Sequence, residues 1–299
     1  MDISAYYAHQ SSITDPGAYS SLFADAPTDI AGICRTVQGL VIHYRGACLL
    51  GYTLPSERLP EIDTCFVEHM LKRIVELDDR PLTDTRATDK RLAGCCRDFA
   101  TLFCAIARYH GIPTRPRVGF ATYFFTDFTG DHEIVECWDA AQERWRLIDP
   151  QLSPQEIDYF HIDFDPLDVP RDRFLVGGSV WQQYRSGQID PDRFGVAPDV
   201  DVNGVPFIGE RLVLDLAALN KREMLVWDMW GIMFKDMHDE ENAMLLDRVA
   251  EVIQEGDAAF AEQRAIYENT PDLRVPATIQ RFSPSGFRGE AAMEEPYHS

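Results

Sequence analysis

The chain has 299 residues, of which 45% are hydrophobic and 26% are charged, and these values are ordinary for a globular protein. Its 28 Lys and Arg residues stand against 49 Asp and Glu residues, which gives a formal net charge of −21. A surface this negative repels phosphate backbones and anionic lipids, so neither nucleic acid nor a membrane is an expected partner. The length suffices for one large domain or two small ones, and we expect a single domain over residues 1–299.

The sequence predicts neither a targeting segment nor a disulfide framework. The N-terminus lacks a basic stretch followed by an apolar one, and no apolar run approaches the roughly 18 residues that a membrane span needs. The 7 cysteines are odd in number and scattered, and no Cys-x-x-Cys pair occurs among them, which argues against structural zinc. We therefore expect a reduced, cytoplasmic protein with no metal site.

Residues 1–90 are predicted to form a mainly helical N-terminal region. Apolar residues over 30–41 recur at helical spacing, and Asp29 stands where an N-cap residue is expected. A second helix is predicted over 61–77, and the polar stretch over 78–90 is predicted to be a connection.

The pattern changes over residues 91–155, where the predicted order is one helix followed by three strands. The helix begins after Gly94 and ends at Gly111 and Pro113, which are strong stop signals. The strands are predicted over residues 116–125, 132–138 and 145–149. A short polar turn at 140–144 joins the last two, which predicts a hairpin.

Residues 156–299 are predicted to hold an irregular excursion, two helical segments and a loose tail. The excursion covers residues from about 151 to 210, which are rich in Asp, Pro and Gly. Helical patterns return near 212–224 and 239–267, and the last thirty residues show no clear period. The spacing of Trp227, Met229, Trp230 and Met233 predicts that they belong to the core.

The stretch Gly94-Cys95-Cys96-Arg97-Asp98 places a cysteine in the first turn of the predicted helix. Free backbone N–H groups and the helix dipole favour a thiolate there, and the same N–H groups can stabilise an oxyanion on a substrate carbonyl. Gly94 lets the chain turn tightly and leaves room for a substrate. This arrangement predicts a cysteine nucleophile.

A thiolate nucleophile needs a base, and the base needs a group that orients it. His132 opens one predicted strand and Asp149 closes the next. If the two strands pair as a hairpin, these residues fall opposite each other or nearly so. The sequence therefore predicts a triad of cysteine, His132 and Asp149.

These segments together resemble the transglutaminase-like superfamily, which shares a papain-like core with cysteine proteases. The matching pieces are Gly94–Ala100, Gly111–Arg115, His132, Glu136 and Trp145–Pro150. The resemblance implies an α+β fold in which a catalytic helix packs on a small antiparallel sheet, with added N- and C-terminal helices. It also implies that Cys96, two residues after the glycine, is the nucleophile, with His132 and Asp149 as its partners. The whole chain resembles bacterial transglutaminase-domain proteins of similar length.

The resemblance implies acyl transfer through a thioester on the cysteine, with an amide or a thioester as the substrate. A peptidase or amidase that releases the acyl group to water is an alternative, and so is an inactive binding module. A buried, inaccessible Cys96 would favour the last. The chemistry requires no cofactor and no metal, and the expected partner is a small-molecule, peptide or carrier-bound acyl substrate.

The second oxyanion donor is not assigned by the sequence. Some superfamily members use a tryptophan upstream of the cysteine, whereas every tryptophan here follows Cys96. Gly94, Cys95, Trp181, Gln182 and Gln183 are candidates for oxyanion or substrate contacts. Arg115 and Arg117 are candidates for substrate contact as well, with surface salt bridging favoured.

Three further residue sets have competing interpretations. Cys95 either faces away from Cys96 or forms a vicinal disulfide with it, the first being favoured. His161 is a rival for the role of base. The acidic residues Asp158, Asp163, Asp165 and Asp168 either bind a hard cation or form a solvated loop paired with arginines, and the nearby Arg171 and Arg173 favour the loop.

Overall fold

A computed structural model describes residues 2–293 of the chain. Its α-helices are α1 (Ile3–Ala8), α2 (Ile30–Leu40), α3 (Val67–Leu77), α4 (Cys96–Tyr109), α5 (Pro154–Tyr159), α6 (Gly177–Arg185), α7 (Gly204–Leu219), α8 (Glu240–Glu255) and α9 (Phe260–Asn269). Its strands are β1 (Val41–His43), β2 (Leu92–Gly94), β3 (Thr114–Ala121), β4 (Thr129–Asp139), β5 (Arg144–Ile148), β6 (Phe174–Val176), β7 (Phe194–Gly195), β8 (Asp228–Met229), β9 (Thr278–Phe282) and β10 (Arg288–Ala292). The fold is therefore a mixture of helix and sheet, as the α+β expectation requires.

The central sheet has the strand order β5-β4-β3-β6, and each of these neighbours is antiparallel. The short β7 pairs in parallel with the start of β4. A separate parallel pair joins β1 to β2, which places His43 beside Gly94, immediately before the start of α4. The third sheet, of β10-β9-β8, lies farther along the chain.

The helix α4 is buried along nearly its whole length and packs against β4, β3 and α2. Apolar side chains of α2, α3 and α4 form one core with Val135 and Cys137 of β4 and with Ile148 of β5. A second core contains α6, α7 and α8, which pack on each other and reach β3 through Val118 and Phe120. The helix α4 is thus anchored in the first of these two cores.

The structure confirms the helix, strand, strand, strand order between residues 94 and 150. It also confirms Asp29 as an N-cap, since its carboxylate accepts a hydrogen bond from the N–H of Gly32. The helix predicted over 61–77 is shorter, because residues 56–63 form a 3-10 turn around Pro60 and α3 begins only at Val67.

The later part of the chain is more ordered than the prediction. Residues 151–210 contain α5, β6 and α6, and α7 begins eight residues before the predicted helix near 212. The helical pattern over 239–267 is interrupted by a 3-10 turn at Gly256–Ala259. Within the tail predicted to be loose, β9 and β10 pair as a hairpin, and residues 294–299 lie outside the described residues.

Two of the four residues predicted to lie in the core near 230 lie inside it, and the other two pack against it while also lining a cavity. Trp230 and Met233 are buried, but Trp227 and Met229 are only half-buried and line a cavity. The segment is also not a helix, because β8 is followed by a 3-10 turn. Within residues 2–293, no helix is both long enough and apolar enough to span a membrane.

Candidate active site

Cys96 is the first residue of α4, and Cys95 is its N-cap. The Cys95 side chain accepts a hydrogen bond from the N–H of Asp98, and the Asp98 carboxylate accepts one from the N–H of Cys95 at 2.7 Å. This reciprocal pair is a capping box built on a cysteine. It fixes the helix start, so that the backbone N–H of Cys96, which has no carbonyl partner within the helix, lies beside its own thiol.

Gly94 is required here by the close approach of a side chain. A Cβ atom at this position would lie 2.6 Å from Asp98 Oδ2 and 3.0 Å from Val41 Cγ1. The glycine therefore makes room for the capping carboxylate. Its backbone is not in the left-handed region, so the tight-turn reason expected from the sequence does not apply.

His132 on β4 and Asp149 after β5 are in contact, with Nε2 of the imidazole 2.8 Å from Oδ2 of the carboxylate. The strand register pairs Val135 with Ile148, so Asp149 lies diagonally across from His132 and not directly opposite. A diagonal neighbour in a sheet is within reach of long side chains. The Tyr123 hydroxyl donates to the same carboxylate oxygen at 2.7 Å, which holds Asp149 in place.

Aromatic rings enclose the imidazole of His132. The rings of Phe124, Tyr123 and Phe174 have centroids 4.9, 6.1 and 6.4 Å from the imidazole, all with steep interplanar angles. They exclude water from this side of the ring. His132 itself is 4% exposed, and its contact with Asp149 through Nε2 leaves Nδ1 for the thiol.

The electrostatics favour a thiolate at Cys96. The Cys95 side chain hydrogen-bonds to Cys96, and this is the main reason that the pKa of Cys96 lies well below its ordinary value. Burial opposes the shift, while His132 supports it through a hydrogen bond and its positive charge. The same hydrogen bond, together with burial, raises the pKa of Cys95 well above the ordinary value of a thiol.

The charge on His132 follows from its neighbours. Burial disfavours the imidazolium, but the Asp149 carboxylate outweighs burial by its charge and its hydrogen bond. With the additional effect of Cys96, the pKa of His132 is raised to about 10. At neutral pH these shifts favour a thiolate–imidazolium pair.

Cys96 and His132 both line a cavity of about 850 Å³. Cys96 is 7% exposed, and that exposed part faces the cavity. The aromatic wall consists of Tyr44, Phe124, Phe125, Tyr159, Phe160, Phe207, Trp227 and Phe282. Charged groups at the wall include Asp131 and Arg211, which form a salt bridge at 3.0 Å. The site therefore joins a reactive pair to a large, mainly apolar space.

The structure does not bring Arg115 and Arg117 to this cavity. Arg115 binds Glu136 at 2.8 Å and Asp257 at 2.9 Å, and Arg117 binds Asp215 at 2.8 Å. All these groups except Asp257 are buried. The two arginines thus form buried ion pairs, and neither surface salt bridging nor substrate contact describes them.

Of the other candidates for oxyanion or substrate contact, Cys95 lines the cavity, whereas Trp181, Gln182 and Gln183 lie elsewhere. Trp181 donates its indole N–H to Asp247 at 2.7 Å, between α6 and α8. Gln182 is exposed, and Gln183 bonds Ser179 on its own helix. The cavity wall includes none of these three residues, so the structure gives no support to their predicted role.

The remaining alternatives can be placed as well. His161 is exposed in a turn after α5, with φ of 53°, and does not line the cavity. The acidic loop carries arginine pairs, as expected for a solvated loop, between Asp163 and Arg173 and between Asp168 and Arg144. Within the described part of the chain, no group of three or more His, Cys, Asp or Glu residues is arranged to hold a metal ion. Cys95 and Cys96 are both free thiols, but the favoured expectation that Cys95 faces away from Cys96 is wrong, because its side chain hydrogen-bonds to Cys96.

Sequence reasoning missed three kinds of residue at this site. His43, at the end of β1, lines the cavity beside Cys96. Tyr123 anchors Asp149, and the aromatic wall comes from loops that show no period. The run Tyr123-Phe124-Phe125 at the end of the strand predicted over 116–125 was an available signal, because three consecutive aromatic residues at a strand end are unusual on a solvated surface.

A comparison with known protein families is consistent with this geometry. The family model described as the transglutaminase-like superfamily matches residues 70–150, so this part of the chain is a transglutaminase-like domain, from a superfamily whose members are usually cysteine enzymes. The match contains the whole of α4, β3, β4 and β5, together with Cys96, His132 and Asp149. No curated protein and no solved structure matches the chain significantly.

Proposed function

We propose that the protein is a cysteine acyltransferase that forms a thioester on Cys96 and passes the acyl group to an amine. The observation that carries this proposal is the contact of the Cys96 thiol with His132, itself bound to Asp149 at 2.8 Å, in the wall of a cavity of about 850 Å³. A nucleophile, a base and an orienting carboxylate in this order are what acyl transfer requires.

The reaction has two balanced steps. In the first, the Cys96 sulfur attacks the carbonyl carbon of an amide or thioester, and the electron pair of the C=O bond moves to the oxygen. When that pair returns, the bond to the leaving group breaks, and the imidazolium of His132 gives the leaving group its proton. In the second, an amine attacks the thioester, His132 takes the amine's proton, and the C–S bond breaks to release an amide.

The cavity supports a substrate with a bulky apolar acyl group. Its aromatic wall surrounds the approach to Cys96, and apolar pockets of this kind bind mainly by burying apolar surface. An aromatic or branched acyl chain would fill such a space better than an acetyl group. A water-excluding wall also favours an amine over water as the acceptor, because an apolar amine is concentrated there.

Access to Cys96 separates catalysis from a binding-only role. Its thiol is largely buried but borders the cavity, unlike Cys104, which is fully buried in the same helix. Because the thiol borders the cavity, a substrate carbonyl can reach it from that side.

The test uses p-nitrophenyl acetate and p-nitrophenyl phenylacetate as acyl donors. We expect a burst of p-nitrophenol equal to the enzyme concentration, and an acyl group on Cys96 by peptide mass spectrometry, faster with the phenylacetyl donor. Added benzylamine should raise turnover and yield the benzylamide. Cys96→Ala should remove the burst, whereas Cys48→Ala, which removes an exposed thiol at the same cavity, should not.

Each other result has a definite meaning. A burst followed by turnover that benzylamine does not change, with free acid as the product, would show a hydrolase and contradict the acyltransferase. No burst, and labelling of Cys96 by iodoacetamide no faster than that of Cys48 at pH 6, would contradict an activated nucleophile and leave a binding role.

A further inference from the structure

The thioester mechanism, on which this inference rests, leaves one part of the site unassigned. The tetrahedral intermediate carries a negative oxygen, and enzymes of this type stabilise it with preorganised hydrogen-bond donors. The backbone N–H of Cys96 is one such donor. A second must line the same cavity and have an N–H or O–H that no other group uses.

We propose that His43 is the second oxyanion donor, through its Nε2–H. His43 ends β1, where it pairs with Gly94 of β2, two residues before Cys96. Its imidazole lies in the wall of the cavity that Cys96 also lines. The pairing of β1 with β2 therefore brings this ring to the nucleophile from a segment more than fifty residues earlier in the chain.

The hydrogen bonds of His43 determine which nitrogen carries the proton. The backbone N–H groups of Arg45 and Gly46 both point at Nδ1, each at 3.2 Å. Nδ1 is therefore an acceptor, and the proton of the neutral ring must be on Nε2. No other described residue accepts a hydrogen bond from Nε2, so this donor is available to a ligand.

The ring is also held neutral and rigid. Burial lowers the pKa of His43 to about 4, although the negative charge of Cys96 acts in the opposite direction. A neutral donor does not compete with His132 as an acid, which keeps the roles of the two histidines distinct. The ring stacks on Tyr44 with centroids 5.3 Å apart, and this contact and the two Nδ1 bonds fix its plane before substrate arrives.

Three neighbours are rivals for this role, and one of them, Arg211, lines the cavity with an Nε–H that has no hydrogen-bond partner among the described residues, although its charge is paired with Asp131. Gln151 lines the cavity, but its side-chain N–H₂ donates to Glu156 at 3.0 Å. The Tyr44 hydroxyl also belongs to the wall, but no hydrogen bond among the described residues orients it. Preorganisation is what makes an oxyanion donor effective, and only His43 has its donor direction set by two backbone bonds.

The test separates a donor to the oxyanion from a group that maintains the turn. In His43→Asn the amide oxygen can replace Nδ1 as the acceptor for Arg45 and Gly46, but nothing replaces Nε2–H. In His43→Gln the amide nitrogen reaches the place of Nε2. We expect His43→Asn to slow acylation by p-nitrophenyl acetate by about 10²-fold or more, and His43→Gln to restore most of that loss.

Alkylation of Cys96 by iodoacetamide provides the second readout, because this displacement forms no oxyanion. We expect its rate at pH 6 to be unchanged in His43→Asn, which distinguishes the oxyanion role from support of the thiolate. Equal losses of acylation and alkylation would overturn the proposal, and so would a loss in Tyr44→Phe or Gln151→Ala but not in His43→Asn. Failure of the wild type to acylate at all would instead contradict the acyltransferase itself.

Discussion

Two clusters of buried charge lie along β4, and they differ in whether their charges can change. Near the start of the strand, His132 binds Asp149 and contacts Cys96 at the cavity. Near its end, Glu136 accepts hydrogen bonds from Arg115 and Arg117. Arginine stays charged at any ordinary pH, so the second cluster is a permanent set of ion pairs.

The pKa shifts of the two clusters express the same difference. Burial would raise the pKa of Glu136, but Arg115, Arg117 and Arg171 hold it far below the ordinary value. The first cluster contains a thiol and an imidazole. The pKa of Cys96 is lowered and the pKa of His132 is raised, so that the order of the two values is reversed. A buried ionic pair can take part in acid–base chemistry when one partner can gain or lose a proton and a cavity borders it. A buried pair whose charges are permanent contributes to the stability of the fold instead.

The largest expected effect comes from breaking the first cluster with His132→Ala. Loss of the acid and base should lower kcat/KM for acyl transfer by about 10³-fold, and it should slow labelling of Cys96 at pH 6. His161→Ala is the matched control, because His161 is exposed and outside the cavity. Equal loss in both variants, measured with the p-nitrophenyl esters, would contradict the assignment of His132.

The proton on His132 also predicts a pH profile. Acylation by an amide donor needs the imidazolium to protonate the leaving amine, so its rate should fall as the pH rises through about 10, the raised pKa of His132. The p-nitrophenyl esters, whose leaving group departs as an anion, should not show this fall. Alkylation by iodoacetamide needs only the thiolate and should not fall there. Labelling should stay fast well below the ordinary thiol pKa, because the pKa of Cys96 is lowered. Parallel decline of both rates would contradict this division.

Breaking the second cluster should change stability and leave the nucleophile intact. Asp215 binds Arg117 with both oxygens and accepts from the N–H of Val118, so Asp215→Ala should cost about 3–5 kcal/mol of unfolding free energy. Urea denaturation measures this loss. Asp163→Ala breaks an exposed pair with Arg173 and should cost less than about 1 kcal/mol. A large drop in Cys96 labelling of folded Asp215→Ala would show that the clusters are coupled.

A smaller change tests the hydrogen bond between the adjacent thiols. Cys95→Ala removes the thiol that donates a hydrogen bond to Cys96, so the pKa of Cys96 should rise. Labelling of Cys96 at pH 6 should then slow by about tenfold for each unit by which that pKa rises. Cys95→Ser keeps a donor and a capping atom, and it should retain most of the rate. If alanine and serine behave alike, the thiol of Cys95 has no such role.

The smallest expected effect concerns Glu133, which neighbours His132 but belongs to the side of β4 that faces α4. It is buried, and one of its carboxylate oxygens has no hydrogen-bond partner. Burial raises the pKa of Glu133 in the folded protein well above the ordinary value. Below about pH 4.5 the carboxyl group is protonated in both states and costs no stability. At higher pH only the unfolded state ionises freely, so the free energy of unfolding decreases as the pH rises. Glu133→Gln should therefore raise the unfolding free energy by about 1 kcal/mol at pH 8.

The matched variant for Glu133→Gln is Glu136→Gln, on the same strand. The pKa of Glu136 is lowered in the folded protein. Its carboxylate therefore stabilises the fold at a pH above the pKa of the unfolded chain, and this stabilisation is lost as the pH falls. Glu136→Gln should thus destabilise at pH 8, opposite in sign to Glu133→Gln. Thermal unfolding at pH 8 and pH 4 compares the two, and the same sign for both would contradict the contrast between these carboxyl groups.

Local patterns were enough to predict much of the core of the molecule. Asp29 predicted the start of α2, and Gly94 with Gly111 and Pro113 bounded α4, because caps and breakers act within one helical turn. The alternation of side chains between the two faces of a strand predicted β4 and β5, and the predicted hairpin placed His132 near Asp149. The expectation that the two residues lie opposite each other or nearly so is confirmed in its second form, because the register sets Asp149 one diagonal step from His132.

Elements held by distant partners were not predictable in this way. The segment that forms the hairpin of β9 and β10 was predicted to be a loose tail, because its strands are short. The other edge of β9 pairs with β8, which lies about fifty residues earlier in the chain, and spacing within the segment does not reveal such a partner. The predicted excursion over 151–210 contains two helices for a similar reason. The helix α6 packs on β3 and α8, whereas α5 contacts the 3-10 turn over Ala47–Leu50, and the sequences of both helices show little period.

Local sequence patterns predicted the helix that begins after Gly94, the strand that carries His132 and the position of Asp149 at the end of the next strand. Each depends on capping, alternation or chain breaking among neighbouring residues. The burial of Arg115 and Arg117 in ion pairs and the position of His43 at the cavity depend instead on the folded chain. Those placements follow from which segments pack together, and such long-range contacts have no signature in the spacing of a single chain.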